Sequence, residues 1–188
     1  MSPVDTKQRI LEIAAELFAR QGYTGTTIAD IAGELGTTTA ALYYHFPSKQ
    51  AILIGLLAGP IRAYSRLLDG LDSGESTPQD LLTAIIDICA DSRELATIFD
   101  RDPAALAMID GQLPRSSAEM TAQTVAALAG PHPGRAALIR ANAALAVAKA
   151  ATLAALDLGG GALADADRAE VLAAALRSLA EPVKTPTP

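Results

Sequence analysis

The feature that most restricts the fold of this chain is a pair of short helical patterns between residues 27 and 47. Thr27-Ile-Ala-Asp30 has the form of a capping box, with Asp in place of the usual Glu or Gln, and the apolar residues after it recur at helical spacing. Gly36 ends this pattern, a second short helix is predicted from about Thr38 to Tyr44, and Pro47 stops it. Two short helices joined by a tight turn that contains Gly are the outline of a helix-turn-helix.

The rest of the chain is also predicted to be helical, so the fold class is all-α. Half of the residues are apolar but only 4% are aromatic, and Ala and Leu, which favour helices, supply most of the apolar content. Runs of β-branched residues at period two, which mark strands, are missing. We expect a first helix from about Pro3 to Gln21 and a long fourth helix from Ser48 to about Leu71, kinked near Gly59-Pro60, within about nine helices in total.

The charge of the chain limits how it can contact phosphate groups. The formal net charge is −6 and the pI is about 4.8, and residues 1–50 contain four basic residues against five acidic ones. Contact with nucleic acid would therefore depend on a few placed groups rather than on a basic surface.

Other features of the sequence indicate where in the cell the protein is located. The single cysteine excludes an intrachain disulfide, and the N-terminus lacks a signal-type apolar stretch. Arg140 and Lys149 interrupt the best candidate for a membrane span. We expect a cytoplasmic protein with no membrane partner.

Residues 26–49 carry a resemblance to a known family. They are Thr-Thr-Ile-Ala-Asp-Ile-Ala-Gly-Glu-Leu-Gly-Thr-Thr-Thr-Ala-Ala-Leu-Tyr-Tyr-His-Phe-Pro-Ser-Lys, preceded by Phe18, Gly22 and Tyr23. This pattern resembles the signature of the TetR (tetracycline-repressor) family over residues 1–57. The resemblance implies a transcriptional regulator, in particular a repressor that binds an inverted-repeat DNA operator as a homodimer and is released by a small-molecule effector. The alternative, suggested by the acidic charge, is a helical ligand-binding or interaction protein with weak or lost DNA affinity.

In such a module, the second helix of the pair lies in the major groove with its N-terminal residues facing base edges. Here that end presents Thr37, Thr38 and Thr39, whose hydroxyls can bond to phosphates or bases, although one of the three is expected only to cap the helix. Ala41 can touch a thymine methyl group. The absence of Arg and Lys from residues 37–44 argues against guanine recognition through a bidentate Arg.

The end of the same helix carries three large side chains with polar tips, Tyr43, Tyr44 and His45. They cannot all be buried on so short a helix, whereas Leu42 and Phe46 are four residues apart and are expected to face the core. The resemblance implies that Tyr43 and His45 reach phosphates and that Tyr44 packs near the DNA surface.

Two further DNA contacts are expected at helix N-termini. Lys49 follows the Ser48 cap, so its ammonium and the exposed amides of the fourth helix would form a phosphate clamp. Thr27 is similarly placed at the start of the second helix, with capping as its alternative role.

These interpretations divide the chain into four segments. Residues 1–47 form a helix-turn-helix DNA-binding domain, 48–71 a connecting helix, 72–182 a helical ligand-binding and dimerisation domain, and 183–188 a disordered tail. Within the third segment, a helix that starts at Asp102-Pro103 is expected to be interrupted at Gly111 and to resume at Ser116. Residues beyond 60 contain no cluster typical of catalysis, metal binding or a cofactor, so we expect no enzyme and no cofactor.

The resemblance also implies dimerisation through the last two long helices, expected at 135–158 and 165–181. Small side chains support this because they permit close approach of a partner helix, with alanine filler as the alternative; they are Ala141, Ala144, Ala148, Ala151 and Ala155 in the first helix and Ala173, Ala174 and Ala175 in the second. The expected effector is largely apolar. Candidates to contact it are Asp87, Phe99, Met108, Met120, Asn142 and Lys149, although a buried ion pair or a solvated face would explain Lys149 equally well.

Overall fold

The computed structural model describes residues 3–71 and 76–180, and its regular structure in these residues consists of α-helices without strands. The all-α prediction is therefore confirmed. Ten helices follow one another in the described part of the chain: α1 Pro3–Gln21, α2 Ile28–Leu35, α3 Thr39–His45, α4 Lys49–Gly70, α5 Pro78–Asp91, α6 Arg93–Arg101, α7 Pro103–Asp110, α8 Ser117–Ala129, α9 Arg135–Leu158 and α10 Asp165–Leu179. The tail predicted for residues 183–188 lies outside the described residues.

The number of helices differs from the prediction because the interrupted helix is two separate helices. The chain turns after Asp110, where the amide of Gln112 donates to the carbonyl of Ile109, and Pro114 has no amide proton with which to continue a helix. α8 then starts afresh at Ser117. The last helix is also shorter than expected, since the backbone of Ala180 is already extended.

Local capping explains where the short helices begin and end. The Thr27 hydroxyl accepts from the amide of Asp30 at 3.1 Å, and the Asp30 carboxylate accepts from the amide of Thr27 at 2.7 Å, so the predicted capping box is present. Gly36 follows α2 with φ of 70°, a left-handed conformation that favours glycine. The Thr38 hydroxyl caps α3 by accepting from the amide of Ala41. Caps of this kind stabilise a helix by about 1 kcal/mol each.

The chain forms two compact units. The first contains residues 1–63 and 92–116, and therefore includes α6 and α7, which the sequence prediction assigned to the C-terminal domain. Its core is built around α1, whose Phe18 packs edge-to-face on Tyr23 with ring centroids 5.1 Å apart. Apolar side chains of the other helices complete this core: Ile31, Leu42, Phe46, Ile52, Leu53, Ile98 and Ile109.

The second unit contains residues 64–91 and 117–188. Its core combines Leu and Ile side chains of α5 with alanines of α9. Ala141, Ala144 and Ala148 are completely buried in this core, and Ala155 is nearly so. The prediction that these alanines accommodate a partner chain is therefore wrong: small side chains on this face of α9 let the helices of the same chain approach closely.

Two helices, Lys49–Gly70 and Arg135–Leu158, are long and apolar enough to cross a membrane by length and composition alone. The sequence analysis did not anticipate this. Each contributes completely buried side chains to a protein core, for example Ile52 and Leu53 in the first helix and Ala144 and Ala148 in the second.

Candidate nucleic-acid interface

Helix α3 is anchored on one face and exposed on the other. Leu42 is completely buried and Phe46, at the C-cap, is nearly so, as predicted. At 100° per residue, Ala40 and Tyr44 project from the opposite face. Tyr44 is 87% exposed and Tyr43 51%, so two of the three large polar-tipped side chains face outward.

The three threonines at the start of α3 have different roles. Thr38 is the N-cap residue, and its hydroxyl is used within the helix. Thr37 and Thr39 are exposed, and among the described residues their hydroxyls have no hydrogen-bond partner. The expectation that one of the three only caps the helix therefore fits Thr38, and the other two can present hydroxyls to a ligand.

His45 lies beside this face and is half-buried. Its ring stands edge-on to that of Tyr44, with centroids 5.3 Å apart. Phosphate contact by Tyr43 and His45 stays a prediction.

Lys49, at the start of α4, binds the turn that precedes α2. Its Nζ donates to the carbonyl oxygens of Tyr23 and Thr26 at 2.8 and 2.7 Å, and lies 4.3 Å from the centre of the Tyr23 ring. Burial lowers the pKa of the Lys49 ammonium, and the nearby negative charge of Asp102 opposes this shift. An ammonium has three donors, so one N–H is not used by these two carbonyls, and its contact with a phosphate stays a prediction. The Ser48 hydroxyl accepts from the amide of Ala51 at 3.0 Å, as predicted for a cap.

Asp102, between α6 and α7, is a part of this region that the sequence analysis missed. Its Oδ2 accepts from the amide of Thr24 at 3.0 Å and from the Thr24 hydroxyl at 2.6 Å. These hydrogen bonds lower the pKa of the Asp102 carboxyl, and the bond from the Thr24 hydroxyl has the larger effect. Lys49 and Asp102 thus hold the Tyr23–Thr26 turn between them. No local signal predicts this contact because its partners are 78 residues apart.

Thr27 forms the capping box with Asp30, and its hydroxyl also donates to Asp30 Oδ2 at 2.7 Å. These hydrogen bonds lower the pKa of the Asp30 carboxyl. The capping role of Thr27 is confirmed, and its contact with DNA stays a prediction.

The candidate effector contacts are distributed over both units, and their contact with an effector stays a prediction. Met108 belongs to the first unit and is half-exposed. Asp87 forms an ion pair with Arg168, and Asn142 is exposed, with its amide nitrogen donating to the carbonyl of Leu138. Met120 and Lys149 are both half-buried, and the Phe99 side chain lies outside the described residues.

The second unit also contains a cluster of polar side chains that the sequence did not predict. The Tyr64 hydroxyl lies 2.8 Å from the hydroxyl of the buried Thr124, which donates to the carbonyl of Met120. Because Thr124 has a single hydroxyl proton, Tyr64 is the donor of their shared bond. Lys149 Nζ lies 5.9 Å from the centre of the Tyr64 ring. Burial raises the pKa of the neighbouring Cys89 thiol, and the charge of Lys149 partly opposes this shift.

Comparison with known proteins bears directly on the segment from α1 to the start of α4. Residues 10–56 match the family model described as "Bacterial regulatory proteins, tetR family". The N-terminal module belongs to the TetR family. The matched residues include every candidate DNA contact from Thr27 to Lys49 and none of the candidate effector contacts. The TetR resemblance is thus confirmed for the module on which it was based.

Curated relatives that match part of this chain are named as helix-turn-helix transcriptional regulators. The repressor KstR2 of Rhodococcus jostii is 35% identical over 98 residues, which are 50% of this chain and 48% of that protein. IcaR of Staphylococcus aureus, a negative transcriptional regulator of a biofilm operon, is 48% identical over 46 residues, 24% of this chain and 25% of that protein. Among the first five relatives, the match spans between 17% and 48% of the relative's own length.

Solved structures extend the TetR likeness to the fold of the whole chain. The ketosteroid regulator KstR2 of Mycobacterium tuberculosis superposes with a TM-score of 0.65 at 21% identity, covering 94% of this chain and 96% of that one. A regulator from Aquifex aeolicus superposes with a TM-score of 0.63 at 20% identity, covering 89% and 96%. The two-part helical architecture is therefore the TetR-type fold.

Proposed function

We propose that this chain is a DNA-binding transcriptional regulator, a repressor that a small-molecule effector releases from an inverted-repeat operator in the cytoplasm. The observation that carries the proposal is the outward face of α3, anchored by Leu42 and placed inside the segment that matches the TetR model. A face of this shape, on the second helix of a helix-turn-helix, fits the major groove. The relatives, named as transcriptional regulators, support the same activity.

Within this function, the residues of the module divide into positioning and reading groups. Tyr43, His45 and the remaining N–H of Lys49 contact phosphates, which fix the protein on the duplex. Thr37, Thr39, Ala41 and Tyr44 face the bases or the groove walls. Thr27 and Thr38 hold the N-termini of α2 and α3, with any DNA contact of their own being secondary to their capping role.

Dimerisation is proposed through α9 and α10, on faces that differ from those suggested by the sequence alone. The side of α9 opposite its buried alanines is exposed and carries Ile139, Asn142 and four alanines, namely Ala143, Ala146, Ala150 and Ala154. A second copy related by two-fold symmetry can pack there. Two-fold symmetry of the protein then requires matching half-sites in the operator.

The effector is proposed to be largely apolar and to bind in the second unit. Tyr64, Thr124 and Lys149 place two hydroxyls and an ammonium near an otherwise apolar core, where polar groups can orient a ligand. Met120 is adjacent through its carbonyl. Asp87, Phe99, Met108 and Asn142 stay individual candidates because the described contacts do not bring them to this cluster.

The test is direct binding of the full chain to the DNA upstream of its own gene, in competition with unrelated duplex at stated salt. We expect specific binding that Ala40→Glu abolishes, because the new carboxylate faces the groove, while the exposed Ala126→Glu on α8 binds as the parent does. Specific binding by Ala40→Glu would contradict the assignment of α3. The second candidate, a helical ligand-binding protein without DNA affinity, is favoured by the acidic charge and requires that the parent itself shows no specific binding.

A further inference from the structure

The outward face of α3 consists of small side chains at its N-terminal end and of tyrosines at its C-terminal end. Ala40 and Ala41 are both exposed and offer only methyl groups. Thr37 and Thr39 are exposed as well, and each adds a methyl group and a hydroxyl. Because none of these side chains is longer than a threonine, the helix backbone can approach base edges closely.

The side chains that usually distinguish base pairs are missing from this stretch. Guanine is read by Arg or Lys, adenine by the amides of Asn or Gln, and cytosine by the carboxylates of Asp or Glu. Residues 37–44 are Thr-Thr-Thr-Ala-Ala-Leu-Tyr-Tyr and contain none of these six residue types. The contact that remains available to alanine and threonine methyl groups is the C5 methyl of thymine.

The Lys or Arg nearest in sequence, Lys49, does not replace the missing base contacts. Lys49 already donates two hydrogen bonds to the carbonyls of Tyr23 and Thr26. Its remaining N–H can reach one acceptor only, so it cannot form the bidentate contact that specifies guanine.

We infer that α3 recognises its operator half-site mainly through the methyl groups of thymine, with guanine contributing little. The inference rests on the proposed DNA-binding function and adds the chemical class of the sequence that is bound. The methyl groups of Ala40, Ala41 and Thr39 pack on thymine methyls in the major groove, and the hydroxyls of Thr39 and Tyr44 add single hydrogen bonds. The operator half-site therefore contains A·T pairs at the positions that α3 touches.

The experiment uses the full chain and an operator isolated by selection from a pool of random duplexes. Each thymine of one half-site is replaced by uracil, which removes only the C5 methyl group, and Kd is measured at constant salt. Burial of one methyl group predicts a rise in Kd of about four-fold at each contacted thymine. Replacing each half-site guanine by 7-deazaguanine, which lacks the N7 acceptor, is expected to change Kd by less than about two-fold, since the typical guanine contact is missing.

Protein variants identify the methyl groups involved. Ala40→Gly and Ala41→Gly weaken the helix, but this loss affects binding to thymine and uracil duplexes equally. The ratio of the two Kd values therefore reports the methyl contact alone, and we expect it to fall towards one for the variant whose methyl group is in contact. Ala126→Gly, on an exposed site of α8, keeps the parent's ratio.

Two outcomes would overturn the inference. Equal Kd values for thymine and uracil duplexes at every half-site position would show that no thymine methyl is read. A larger loss with 7-deazaguanine than with uracil would show that guanine is the main determinant. In either case the parent still binds its selected operator, so the proposed function stands; failure of the parent to select any duplex contradicts the proposed function itself.

Discussion

At the scale of single residues, Lys49 shows how one side chain can serve both the fold and the ligand. The sequence predicts a cation at a helix N-terminus, where it would meet a phosphate. The structure adds two carbonyl partners in the Tyr23–Thr26 turn. These partners precede Lys49 by more than 20 residues, and no spacing rule connects them. Capping by Thr27 and Thr38, in contrast, was predictable because donor and acceptor lie three residues apart.

We expect Lys49→Met to change two measurable quantities. Loss of both hydrogen bonds should lower the free energy of unfolding by on the order of 1–2 kcal/mol, measured by urea denaturation. Loss of the cation should lower the slope of log affinity against log salt by about one unit for each half-site. Thr37→Val, an exposed control without charge, should keep the parent's salt slope. If the salt slope of Lys49→Met equals that of the parent, Lys49 does not contact a phosphate and only stabilises the turn.

Asp102 should make the stability of the protein depend on pH. Its hydrogen bonds from Thr24 lower its pKa in the folded state, so its contribution is complete above the ordinary carboxyl pKa of about 3.9 and is lost as the pH falls through the lower folded value. Asp102→Asn removes this contribution. We expect the variant to be less stable than the parent at pH 7 and closer to it at pH 3, measured by urea unfolding. A stability difference that stays constant from pH 7 to pH 3 would contradict the charged role.

At the scale of helices, the first and last residues of a helix were more predictable than the side that is buried in the core. α1 and α9 begin and end where Pro, Gly and capping residues predict. The buried face of α9 was not predictable because alanine occurs on every side of this helix, so apolar periodicity does not distinguish core from surface. Ala148 is completely buried whereas Ala146 and Ala150 are exposed. Only the packing of α9 on its neighbours separates them.

Two glycines four residues apart in α4 should respond differently to alanine. A Cβ added at Gly59 meets no atom within 4 Å outside its two chain neighbours, so Gly59→Ala should stabilise the protein by up to about 1 kcal/mol through helix propensity, less the crowding of the new Cβ by the ring of Pro60. A Cβ at Gly55 would lie 3.1 Å from Leu11 Cδ2 and 3.2 Å from Phe46 Cε1, so crowding should offset that gain. Thermal unfolding of the two variants measures the difference. A melting temperature for Gly55→Ala that rises as much as that of Gly59→Ala would contradict this account.

At the scale of the whole molecule, the net charge of −6 opposes any approach to DNA. A single reading helix without Arg or Lys would bind weakly against such a field. Two copies on one duplex offset this weak binding, because the second half-site is bound at a high effective concentration once the first is occupied. DNA affinity should therefore depend strongly on dimerisation. The family resemblance implies a dimer, but the sequence does not identify its face, since Ala146 and Ala148 are the same residue type on different sides of α9.

The dimer face can be tested with charged substitutions on opposite sides of α9. Ala146 is exposed and central to the proposed face, so Ala146→Arg should place two like charges across the symmetry axis and give a monomer of 19.3 kDa. The fold should persist, because an exposed substitution away from the core typically changes the free energy of unfolding by less than about 0.5 kcal/mol. Ala126→Arg, equally exposed on α8, should remain dimeric with the parent's operator affinity. Light scattering at micromolar concentration gives the mass, and titration with the operator gives the affinity. If Ala146→Arg has twice the monomer mass and binds the operator as the parent does, the partner helix packs on another face. Ala148→Arg is unsuitable for this test because Ala148 is completely buried, and the larger side chain would disrupt the core of its own chain.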